Sequence, residues 1–435
     1  MKLNLTLTAL AASMAFGTLP VHAQTMDELR AEMKKMREEL NELKKARAAE
    51  AKPADSSGWG DRIEALEVKS KDAVVAGDIG GGLRIPGSET SLHIYGYAEA
   101  HAIHDFKQSG PSDVFTDLTF QPLNNSGGQT GKTKFSAETS RFGFETSTPT
   151  SLGTFNTKVE ADFYAYGPAN RNRLRLRHAY GEYGGWLIGQ TWSTFMDVDD
   201  LPETVDFNGP IGAPFSRRTM VRYTYGDAKA GYKFSVAAED PEDQFGGGSA
   251  NERMPQLVAR FDKSFDWGAV NVRALAHEKR SFSQTKRGFG GGVGGSYKLT
   301  DKDLLMGQYT YVEGDVDQLY GSNGYSIDTD QFDTKGNLTH AGTGAITFDK
   351  NQGLVLGYAR TFSDQLRGSF VLGFNRGKTA QAVDNKTLGQ LFVNLIYTPI
   401  KNVELGGEVI YGQRKTFAGD TGTMSRFDLM GRYSF

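Results

Sequence analysis

Residues 424–435 read MSRFDLMGRYSF, and the parity of this segment decides the fold. Side chains of an extended strand alternate between two faces. Phe427, Leu429, Gly431, Tyr433 and Phe435 therefore share one face, and Arg426, Asp428, Arg432 and Ser434 the other. A soluble barrel keeps its apolar face inside; the opposite arrangement, apolar outside and charged inside, fits a barrel that meets lipid outside and water within. Working back from this segment, the same alternation recurs at 91–106, 133–148, 153–167, 173–184, 185–195, 219–226, 230–240, 254–265, 268–282, 288–301, 303–314, 352–364, 365–378, 388–401 and 403–415. Tight connections such as Gly184-Gly185 and Lys401-Asn402 alternate with long ones at 107–132, 196–218, 241–253 and 315–351. The pattern predicts an all-β protein, a sixteen-stranded antiparallel transmembrane β-barrel over 91–435.

Composition fits that reading once the alternation is seen. The mean hydropathy of -0.46 looks soluble only because it averages a lipid-facing half with a water-facing half. No apolar run beyond the N-terminus approaches the ~18 residues of a membrane-spanning helix. With 49 basic and 52 acidic residues among 435 the net charge is -3, which argues against a nucleic-acid partner. Glycine is the outlier at 53 residues, well above the ~7% background, and there is no cysteine to staple a small exported domain.

Residues 1–23, MKLNLTLTALAASMAFGTLPVHA, have Lys2, an apolar stretch to Leu19 and a small-residue site ending at Ala23, as a secretory signal does. In 24–47 the apolar positions Met26, Leu29, Met33, Met36, Leu40 and Leu43 alternate steps of three and four, the seam of a self-associating coiled coil. A linker with Pro53 and a short helical piece at 61–69 fill 48–90.

Arg173, Arg175 and Arg177 alternate with Leu174 and Leu176. On a strand they line one face about 6.7 Å apart, and parity points them into the lumen. Parity also turns Arg141, Lys158, Arg222, Arg260 and Arg273 inward. Guanidinium rows suit carboxylates and phosphates because they stay charged and bind bidentately; alternatively, these arginines pair with Glu160 and Asp162. The segment Ser193–Arg218 carries Asp197, Asp199, Asp200, Glu203 and Asp206 beside Phe195, Met196, Leu201, Val205 and Phe207. A loop this apolar belongs inside the barrel, and its acids opposite an arginine wall would set up a transverse field at a constriction. On the outward face of 91–106, the small residues Gly96, Ala98, Ala100 and Ala102 leave room for a neighbouring subunit.

Several near-motifs carry little. The stretch Gly127–Thr133 has Ser126 where a P-loop needs its first glycine. His101 and His104 fall on opposite faces of a strand. Asp328, Asp330 and Asp333 lack the glycine of an EF-hand loop. No nucleophile cluster points to an enzyme, and neither a cofactor nor a metal is expected.

The heptad arm, GDIGGGLRIPGSETSLHIYGY (77–97), LRLRHAYGEYG (174–184) and GQTWSTFMDVDDLPETVDFNGP (189–210) together resemble the DcaP-like family of outer-membrane porins. The resemblance implies a homotrimer of sixteen-stranded barrels in the bacterial outer membrane, set among lipid and lipopolysaccharide. It also implies a third long loop narrowing the pore, a periplasmic N-terminal coiled coil and small anionic solutes, dicarboxylates among them. A phosphate-selective porin and a structural protein tethered by its coiled coil are the alternatives.

Overall fold

The computed structural model describes residues 26–49, 75–107, 115–124, 130–165, 173–241, 252–334, 336–378 and 381–435. The signal segment, the linker and the helical piece at 61–69 lie outside them. Two units are present, Met1–Val74 and Val75–Phe435. In the first, α1 (Met26–Ala49) is one continuous helix with Met36 and Leu40 half-buried and their neighbours in solvent.

The second unit is a closed antiparallel barrel of sixteen strands. They are β1 (Ser91–Lys107), β2 (Lys132–Ser136 and Arg141–Thr150), β3 (Gly153–Ala165), β4 (Arg173–Tyr183), β5 (Trp186–Trp192), β6 (Arg217–Asp227), β7 (Tyr232–Glu239) and β8 (Gln256–Phe265). The circle continues with β9 (Gly268–Arg280), β10 (Thr285–Lys298), β11 (Asp303–Glu313), β12 (Lys350–Ser363), β13 (Leu366–Lys378), β14 (Asn385–Tyr397), β15 (Val403–Thr416) and β16 (Thr421–Ser434). β16 closes on β1 with Arg432 opposite Glu99 and Asp428 opposite Ile103. At the foot of the seam Gly96 and Phe435 exchange backbone hydrogen bonds of 3.2 and 2.9 Å. Phe427, Leu429 and Tyr433 face out, while Arg426 and Asp428 are buried within, as parity requires.

Two strands depart from the expected regularity. The segment expected as one strand over 133–148 is broken at 137–140, where the Ser140 hydroxyl accepts from the Glu99 amide (3.0 Å) and donates to the Glu99 carbonyl (3.1 Å). A side chain there replaces the neighbouring backbone in the ladder. In β4, His178 opposes Glu160 and Leu176 opposes Ala161, so Arg177 is an extra residue on its strand. This β-bulge turns both Arg177 and His178 toward the lumen, where strict alternation would send one of them out.

The lumen is not water-filled across its whole width. Residues 115–124, 193–216 and 314–324 fold inward from the long-loop end, and Leu118, Ile211 and Ala213 pack with Val355, Val371, Leu388, Phe392, Ile410 and Met424 of the wall. Each fully buried aliphatic side chain of this kind contributes roughly 1.5–3 kcal/mol. The inserted segments have their own apolar core against β12–β16.

Candidate functional site

The segment 193–216 enters the barrel as expected, and its hydrogen bonds trace its course. The Ser193 hydroxyl and the Thr194 amide donate to Glu239 of β7, both at 2.7 Å. Asp197 lies 3.3 Å from Arg260 of β8 and accepts from Asn271 of β9 at 2.7 Å. Further along, the Val205 and Asp206 amides donate to Glu408 of β15 at 3.0 and 2.8 Å, and the Ile211 amide donates to Gln390 of β14 at 2.9 Å. The segment thus lies along the inner wall from β7 round to β15.

That wall is shaped to receive it. A side chain at Gly353 would collide with the Gly212 carbonyl, one at Gly357 with Pro202, and a Cβ at Gly373 would sit 2.6 Å from the Ile211 oxygen. Part of the glycine excess therefore serves the bed of the loop.

The acids of the loop do not face the arginine row, contrary to the expectation from sequence. Asp197, Asp200 and Asp206 are buried against the opposite wall. Asp200 accepts from Asn271 (3.0 Å), Asp206 is held by the Thr116 amide and hydroxyl (2.9 and 3.0 Å), and Glu203 makes a fork with Arg367 at 2.8 and 2.9 Å. Asp199 is the most exposed of the five, 3.6 Å from Arg260, and Glu203 is exposed as well. Sequence parity fixes inside against outside but not which part of the wall an inserted loop leans on. Arg273 is corrected with them: it faces inward but is covered by the loop, donating to the Phe195 carbonyl at 3.0 Å.

The arginine row belongs to a second region, on β2–β6. Arg175 forks Asp162 at 3.0 and 2.7 Å, and Arg177 joins Glu160 (2.7 Å) to Asp162 (2.8 Å). The pairing named as the alternative reading is therefore present. Arg141 shares Glu160 at 3.4 Å and stacks over Tyr97. Lower down, Lys158 pairs with Glu145 at 2.8 Å and Arg222 approaches Glu182 at 4.0 Å. Arg173 is exposed at the long-loop end and makes no ion pair among the described residues.

Arg217, Trp192 and Tyr164 of this region escape the sequence reading. Arg217 lies over the Trp192 ring at 3.8 Å, Arg177 lies between Trp192 (5.8 Å) and Phe207 (5.7 Å), and Arg175 lies between Phe207 (5.6 Å) and Tyr164 (5.0 Å). Guanidinium and aromatic groups alternate, each ring holding a cation in place without neutralising it. The loop presents Phe207 to the arginines rather than a carboxylate. The doublet Arg217-Arg218 at the end of the loop was the available signal. Cavities open on both sides of this stack. One of about 490 Å³ toward the tight turns includes Trp192, Asp199 and Arg222; another of about 560 Å³ toward the long loops includes Tyr164, Arg175, Phe207 and Tyr320.

The three carboxylates at 328–333 serve their own loop. Asp328 accepts from the Thr343 amide and hydroxyl (3.0 and 2.6 Å) and from His340, bonds that hold its carboxyl down to about 2. Asp330 accepts from Gly342 and Asp333 from Asn337. No group of metal-ligating side chains is present among the described residues.

Residues 78–435 match the model of the DcaP outer membrane protein family. Among solved structures, the outer membrane channel DcaP of Acinetobacter baumannii is similar at 27% identity and a TM-score of 0.72, covering 83% of this chain and 100% of that one. The trimer form of OmpT of Vibrio cholerae shares the fold at 12% identity and a TM-score of 0.52, covering 80% and 99%. So does an anion-selective porin from Comamonas acidovorans, at 12% and 0.52, covering 80% and 100%. No curated protein matches the chain in sequence.

Proposed function

Because the chain belongs to the DcaP outer membrane protein family and is an outer-membrane channel of the porin type, we propose that it is an anion-preferring pore for passive uptake of small dicarboxylates and related anions. The observation that carries this reading is the gathering of Arg141, Arg175, Arg177 and Arg217 around two carboxylates, Glu160 and Asp162. Three guanidinium groups, those of Arg141, Arg175 and Arg177, share these two carboxylates and favour a positive field beside the two cavities, and aromatic rings hold the guanidinium planes where a carboxylate can take two hydrogen bonds. Arg173 at the mouth and Arg222 and Lys158 below extend the positive path. The loop narrows the pore by filling the β7–β15 side, so solutes pass along β2–β6. Three barrels associate through the Gly96–Ala102 face, and α1 forms the periplasmic coiled coil through Met26, Leu29, Met33, Met36, Leu40 and Leu43.

Reversal potentials in planar bilayers under a KCl gradient test the reading. The expected sign is anion-directed, and the double variant R177E/R217E abolishes or inverts it. A cation-directed potential in the unaltered channel sinks the proposal, as does succinate flux into liposomes that the double variant leaves unchanged.

A further inference from the structure

The outer face of β12–β15 carries a feature that the pore does not use. In β13 the outward series is Phe370, Leu372 and Phe374, then Arg376 and Lys378 at the long-loop end. In β15 it is Leu405, Val409 and Tyr411, then Gln413 and Lys415. The ladder places Lys350 directly opposite Lys378, Gln352 opposite Arg376, Arg376 opposite Thr387 and Thr387 opposite Lys415. Four cations therefore occupy a patch that reaches from β12 to β15, three inter-strand spacings (about 14 Å) wide and two residues (about 7 Å) tall, just above the apolar belt. Arg376, Lys378 and Lys415 are exposed and make no ion pair among the described residues. Lys350 is bridged to Glu313 at 2.9 Å, Lys386 lies over Phe417 at 5.9 Å, and Asp384 is the other acidic residue nearby in the chain. Lys378 stands directly opposite Lys350, an unfavourable pairing of like charges on a ladder, and the bridge from Glu313 reaches Lys350 and not Lys378.

Below the cations the barrel surface is indented. A groove of about 390 Å³ runs between Leu354, Leu356, Leu372, Phe374, Leu391 and Tyr411. It exists because outward-facing Gly389 presents no side chain: a Cβ there meets only the Phe374 ring, at 3.9 Å.

We propose that this face binds a phosphorylated, acylated lipid of the outer leaflet, with its phosphates on Arg376, Lys378, Lys415 and Lys350 and an acyl chain in the Gly389 groove. Charge complementarity selects the headgroup, and the apolar indentation directly beneath it separates a lipid from a free anion. The site is independent of the solute path, since its residues lie on the opposite face of the wall.

Native mass spectrometry of the detergent-purified full-length assembly, incubated with diphosphoryl lipid A, tests the proposal. The unaltered protein retains the lipid. R376A/K378A/K415A lowers retention about tenfold or more, because each surface cation removed weakens attraction to an anionic headgroup. G389L, which fills the groove without meeting backbone, also lowers it, and both variants keep the single-channel conductance and so are folded. Dephosphorylated lipid binds the unaltered protein as weakly as diphosphoryl lipid binds the triple variant. Equal retention by all three proteins overturns the proposal. Displacement of the lipid by inorganic phosphate alone also overturns it, marking a simple anion patch. Loss of the assembly in either variant does so as well, because a second copy of the chain would then be what covers this face.

Discussion

Two halves of one wall face the same lumen and solve opposite problems. From β7 round to β16, inward arginines and carboxylates meet complementary groups on the inserted loops: Arg260 with Asp197, Arg367 with Glu203, Glu408 with two backbone amides. Their charges are spent holding structure. On β2–β6 three guanidinium groups, those of Arg141, Arg175 and Arg177, share two carboxylates, and aromatic rings flank Arg175, Arg177 and Arg217 as well. An inward arginine is thus a pore residue or a fastening according to what lies above it, and residue type and parity alone do not say which.

The comparison can be broken most forcefully at the bed of the loop. Gly353→Leu drives a side chain into the Gly212 carbonyl, and overpacking of this kind costs about 1–3 kcal/mol or more. The loop is expected to leave the β12–β13 wall, with single-channel conductance rising severalfold and ion selectivity falling. A bilayer recording with unchanged conductance would show that the loop does not limit the pore. Next in size, Glu160→Gln with Asp162→Asn removes the counter-charges of the arginine row. The anion-to-cation permeability ratio should rise severalfold, and a fall would mean that the carboxylates themselves order the arginines for passage.

Arg273→Met sharpens the contrast from the other side. It leaves Asp197 short of one cation beneath the loop and should cost about 1–3 kcal/mol, visible as a lower temperature of the heat-induced gel shift, with selectivity unchanged; altered selectivity would return Arg273 to the solute path. The smallest effect is expected for Asp199→Asn. Its carboxylate is exposed and screened, so the reversal potential should move slightly toward anions at low salt and not at all at high salt.

Much of this was readable beforehand. The parity of 424–435 places Arg426 and Asp428 inside and Leu429 and Tyr433 outside, and the apolar acidic segment after β5 does enter the barrel. What was not readable involves partners far apart in the chain. Asp206 and Glu408 meet 202 residues apart, and nothing local in DVDDLPETVD says that its acids will turn away from β4. The bulge at Arg177 and the break at Ser140 are equally silent, since each depends on register with a neighbouring strand. Glycine is ambiguous for a related reason: Gly96 suggested close packing outside the barrel, whereas Gly353 and Gly373 are needed for close packing inside it.

The seam has a consequence in time as well as in space. β1 and β16 stand at opposite ends of the barrel sequence, and their side chains join across separations such as the 321 residues from Asp105 to Arg426. Contacts so distant form late and slowly. The loop depends on the same late strands, through Glu408 of β15 and through Arg426 of β16, 3.7 Å from Asp206. A half-synthesised wall therefore has neither a closed circumference nor a seated loop, and both arrive with the last two strands.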